Sequence, residues 1–172
     1  MEKKMKGKLW EKGIIIALIL IVLQLVLYFT GNMNNSGLGW GVNILFVVGI
    51  IYFTNQYAKE QHGEMTFGNL FAYGFKISAI VALIMVVWVV LMFKVIFPGL
   101  QDEMMQSQRT ELLKKGLTDE QMKAGAEMGK KFFMIIAVAG TILVYAIMGV
   151  IGSLIGAAIS KKAPGGATPF QQ

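Results

Sequence analysis

Cysteine is absent from the 172 residues and histidine occurs once. Disulfides, Cys-type zinc sites and thiolate catalysis are therefore excluded. Charge is also scarce: Asp, Glu, Lys and Arg make up 15% of the chain, against about a quarter in ordinary soluble domains. Of three prolines, only Pro98 adjoins a long apolar run; Pro164 and Pro169 lie in the last residues. No acidic residue falls within any of those runs, which removes the carboxylates that proton- and cation-coupled transport relies on.

What is present is apolar. Hydrophobic residues make up 55% of the chain and the mean hydropathy is +0.60. Residues 13–30, 38–58, 77–93 and 132–160 contain no Asp, Glu, Lys, Arg or His. An uncharged apolar run of about 18 residues or more marks a membrane helix, because about 20 residues rising 1.5 Å each cross a 30 Å hydrocarbon core. The expected fold is all-α, an integral membrane four-helix bundle. It forms one domain over residues 1–162, with spans near 13–30, 38–58, 70–97 and 132–160. A polar loop over 98–131 should form a short helical hairpin between spans 3 and 4, and 163–172 a flexible tail. The net charge of +6 is concentrated at the chain ends beside apolar helices, where anionic lipid is the natural partner and nucleic acid is not.

Five lysines in residues 1–12 precede the first run, and GNMNNSGLG after it offers no small-residue cleavage site, so this reads as an uncleaved span. Gly31–Gly37 is an Asn- and Gly-rich turn. Trp10 and Trp40 sit at run ends as interfacial anchors. Asn43, Asn55 and Gln56 read as interhelical or interfacial contacts. The Glu60-x-His62-x-Glu64 connection invites a metal, but residues two apart do not share a helical face, and no other His or Cys completes a set. We expect a solvated loop, with no metal and no cofactor.

Thr66, with Asn69 three residues on, predicts a helix N-cap. Phe67, Phe71 and Phe75 form a stripe at four-residue spacing, with Tyr73 beside them at expected head-group depth, as if this segment skims the interface before entering. Lys76 and Lys94 flank the third run. Eighteen residues separate them, about 27 Å of helix, so each reaches a different membrane face by snorkelling and acts as an anchor. Pro98-Gly99 ends that span. Asp102 and Glu103 then open a helix that Lys114, Lys115 and Gly116 close, and Thr118 with Gln121 starts another that runs into the fourth span. The fourth run is longer than a bilayer needs. In it, Gly149, Gly152, Gly156 and Ser160 share a small-residue face suited to close helix packing, within the bundle ahead of a seam between copies. Lys161 and Lys162 anchor its end.

With the N-terminus in the cytoplasm, inner segments carry eight Lys and Arg and outer loops six, all of the latter in 98–131. Five lysines before the first span and none directly after it favour both termini inside.

The phrases GEMTFGNLFAYGFK, the apolar run closed by Pro98, GLTDEQMKAGAEMGKKF and GVIGSLIGAAISKK together resemble the pattern of the domain-of-unknown-function 4199 family, from about Trp10 to Lys162. That resemblance implies a four-span protein of a bacterial inner membrane, of the kind found in Bacteroidota. It implies no activity, cofactor or catalytic residue.

Three function classes follow, in order of support. The first is a non-enzymatic protein that packs with itself or with a membrane partner. The second is a transporter or channel subunit for an uncharged or lipid-like solute, since the spans hold no acidic residue. The third is a membrane enzyme, for which no nucleophile–base set exists.

Overall fold

The computed structural model describes residues 2–33, 35–62, 64–114 and 119–161. All regular structure among them is helical: α1 (Glu2–Phe29), α2 (Ser36–Glu60), α3 (Phe67–Leu91), a π-helical turn (Met92–Ile96), α4 (Leu100–Lys114) and α5 (Asp119–Lys161). The expected C-cap at Gly116, the capping Thr118, the Lys162 anchor and the tail 163–172 lie outside the described residues.

The helix ends are set by local chemistry. After α1, Gly31 takes φ +70°, its N–H donates to Tyr28 O, and Asn32 N–H donates to Leu27 O. This is a Schellman closure, which needs a residue at ease in the left-handed region. The Asn35 side chain then accepts from the N–H groups of Gly37 and Leu38 and caps α2. Thr66 caps α3 as its spacing predicts, its hydroxyl accepting from Asn69 N–H at 3.3 Å. α3 runs unbroken from Phe67, with Phe71 and Phe75 stacked along one side.

At the far end of α3, Pro98 bars Phe97 from the helical region, and Phe97 adopts φ −133° and ψ 70°. Its N–H still reaches a carbonyl five residues back, Met92 O at 2.8 Å. Widening the last turn to π geometry is what satisfies that amide.

Residues up to Ile84, together with those from Val144 on, form one compact unit; Met85–Leu143 form the second. In the first unit, α1, α2, the start of α3 and the end of α5 bury residues at three- and four-residue spacing. Examples are Phe46, Ile50 and Thr54 on α2 and Tyr73, Ile77 and Val81 on α3. Phe46 meets Tyr145 edge to face at 5.0 Å. In the second unit, Phe93 meets Phe133 edge to face at 4.9 Å, and Gly99 O accepts from Glu103 N–H to start α4. Asp102 and Glu103 occupy the first turn of α4 and Lys114 the last, complementing its dipole.

Many large aliphatics point outward. Leu18, Val22, Ile44, Val48, Leu83 and Ile147 are each more than half exposed. Water would penalise such a surface, whereas lipid does not. The first unit buries Leu20, Phe46, Ile50, Leu70 and Ile77 together with the small polar side chains Thr54, Ser78, Ser153 and Ser160.

Candidate functional site

Two features of the first unit bring chemistry together. The first is a seam of small residues between α2, α3 and α5. A methyl built on Gly74 would lie 2.8 Å from Thr54 Oγ1 and 2.9 Å from Ser153 Oγ, so three helices meet at that point. On α5, a methyl on Gly149 would overlap the Ser78 side chain. One on Gly152 would lie 3.1 Å from Ile50 Cβ, and one on Gly156 would lie 3.0 Å from Thr54 Cβ. The face is thus occupied by α2 and α3 of the same chain at Gly149, Gly152 and Gly156, and Ser160 is buried too.

The hydroxyls of this seam are already engaged. Thr54 Oγ1 donates to Ile50 O at 2.8 Å, Ser78 Oγ to Phe75 O at 2.8 Å, and Ser153 Oγ to Gly149 O at 2.6 Å. Each donates back into its own helix, which lets a polar side chain sit inside at little cost. None is aimed at a base, so none is activated as a nucleophile. Ser160 differs: its hydroxyl is buried without a hydrogen-bond partner.

The second feature is Lys12. It is 8% exposed although it belongs to the lysine-rich stretch before the first span. Its Nζ lies 3.8 Å from Glu60 Oε1, 5.4 Å from the centre of the Phe53 ring and 5.7 Å from that of Tyr73. Tyr73 is itself stacked on Tyr57, with ring centres 3.8 Å apart and planes 4° from parallel. Gly13 makes the approach feasible, since a methyl there would lie 2.5 Å from Ile80 Cγ2. The Glu60 carboxylate and the Phe53 and Tyr73 rings lie around the cation, an arrangement that binds α1 to α2 and α3.

The sequence-predicted anchors are placed differently from one another. Trp10, Trp40, Lys76 and Lys94 are exposed. Tyr73, expected at the head groups, is 8% exposed and faces inward to the Lys12 cluster. Sequence reasoning passed over Lys12, because five nearby lysines look alike and the rings that enclose it come from other helices. The one available signal was Gly13, a small residue beside the lysine where two helices could close up. Among the described residues no three His or acidic side chains gather in a metal-binding group.

The class of protein follows from the helices more than from either cluster. Four of them are long and apolar enough to cross a bilayer: Leu9–Phe29, Ser36–Glu60, Phe67–Ile96 and Lys131–Ser160. Together with their aliphatic outer surface they define an α-helical, multi-pass membrane protein. The chain belongs to the family described as Protein of unknown function (DUF4199), whose model matches residues 11–162. No curated protein and no solved structure matches it.

Proposed function

We propose that this is a non-enzymatic protein of a bacterial inner membrane, with both termini in the cytoplasm, that acts by assembling with a membrane partner. The observation that carries this reading is the seam: Thr54, Ser78 and Ser153 spend their hydroxyl donors on their own helices and so present none of them to a passing solute. The same observation argues against an intramembrane enzyme, which needs a nucleophile within reach of a base. The small-residue face is used up inside the chain, so the partner must be met elsewhere.

The polar helix α4 supports such a place. It holds acidic residues at its start and Lys114 at its end, yet exposes Leu112 and Leu113 near that end. Two adjacent leucines on an otherwise polar helix are side chains that a partner surface could cover. The test is site-specific photocrosslinking from Gln106 in native membranes. Repeated capture of one membrane protein is the expected result. No capture, together with solute flux through liposomes carrying the purified protein, would replace this reading with that of a transporter.

A further inference from the structure

The outward face of α2 carries polar groups that the bundle does not use. Tyr52, Asn55, Gln56 and Lys59 recur at three- and four-residue spacing along the last turns of that helix. With Val48 and Ile51 they line, among the described residues, a cleft of about 410 Å³. All of these residues lie on α2, so the cleft is an open groove along that helix, long enough for an extended chain to lie in. Glu60, the neighbouring carboxylate, is directed to Lys12, which leaves Lys59 to set the charge of this face.

The chemistry of the cleft is graded along the helix axis. Val48 and Ile51 are apolar, the two amides come a turn later, and the ammonium of Lys59 sits at the helix end. At 1.5 Å per residue, Val48 to Lys59 covers about 16 Å, roughly one leaflet of a 30 Å hydrocarbon core. A phospholipid presents acyl chain, glycerol ester and phosphate in that same order. A second copy seated symmetrically about the membrane normal would instead set Lys59 against Lys59, cation against cation. Charge complementarity therefore favours an anion.

We propose that this cleft binds an anionic phospholipid. Lys59 pairs with the phosphate, the side-chain amides of Asn55 and Gln56 donate to the ester oxygens, and Val48 and Ile51 receive the upper acyl chain. The purified protein is titrated in detergent with phosphatidylglycerol, or with phosphatidylcholine of the same acyl chains, and bound lipid is read by native mass spectrometry. Phosphatidylglycerol should be retained in preference. Lys59→Gln should weaken its binding about fivefold and Lys59→Glu further, on the scale of one lysine at a lipid surface. An unaltered Tm for Lys59→Gln separates lost binding from lost folding. Equal retention of phosphatidylglycerol by the wild type and Lys59→Gln overturns the proposal. A preference that emerges only after removal of residues 163–172 assigns the cleft to the chain's own tail and also overturns it. So does a disulfide between two copies through Tyr52→Cys without any lipid preference.

Discussion

Gly140 and Gly149 lie on the same helix in opposite surroundings. Nothing approaches within 4 Å of a methyl built on Gly140, whereas one on Gly149 meets Ser78 at once. Gly149→Ala should therefore destabilise the protein by about 1–3 kcal/mol, the usual cost of overfilling a packed interior. Gly140→Ala should stabilise it by about 0.5–1 kcal/mol through the helix preference of alanine alone. Thermal unfolding in detergent reads both, and equal shifts would show that the seam is not tightly packed. Lys12 offers a second comparison. Glu60→Gln removes the charge facing a buried cation and should cost about 1–2 kcal/mol, less than a fully enclosed pair because the carboxylate is partly solvated. Exchanging the two, Lys12→Glu with Glu60→Lys, should fail to restore stability in the same assay, because ring faces attract cations and repel anions. Residues whose role is local were legible in the sequence: Thr66 announces its cap through Asn69. Tyr73 and Lys12 were not, because their surroundings are assembled from α1, α2 and α3.

Helix ends carried the clearest sequence signals, and α3 shows how far those signals reach. Pro98 announces the stop, and the stop falls just before it. The widened turn from Met92 to Ile96 has no signature of its own in the residues it contains. It arises from a conflict between a residue excluded from the helix and an amide that must still find a carbonyl in an apolar setting. Pro98→Ala lifts the exclusion and supplies an additional N–H. The expected outcome is ordinary α geometry over Met92–Ile96, with slower amide hydrogen exchange at Phe97 and at the new Ala, measured by mass spectrometry. Unchanged exchange at Phe97 would mean that neighbouring packing, and not proline, imposes the π turn. The fourth span was legible by a different route. Its apolar length exceeded a bilayer, and α5 is one helix of 43 residues that begins at Asp119 in the polar segment.

For the whole molecule, four apolar helices require the ends of the first and the last to emerge on the same side of the membrane. Reporter fusions after Lys162 and near Gln106 should accordingly report cytoplasm and periplasm, and the reverse result would invert the proposed orientation. The membrane architecture was open to sequence reasoning because lipid imposes one strong rule, apolar length without charge, that each span obeys independently. Function was not open in the same way. The seam and the Lys12 cluster depend on which helices meet, and composition does not record that. The Lys12 cluster also has a consequence for biosynthesis. Lys12 and Glu60 are separated by 48 residues, and Tyr73 follows later still. At about 5–20 residues per second, roughly 2–10 s pass between synthesis of the lysine and of its carboxylate. During that interval the first helix sits in the membrane with its lysine held at the surface by water and head groups. The charge can withdraw into the protein only when the second and third helices have arrived, so its burial follows their packing against the first.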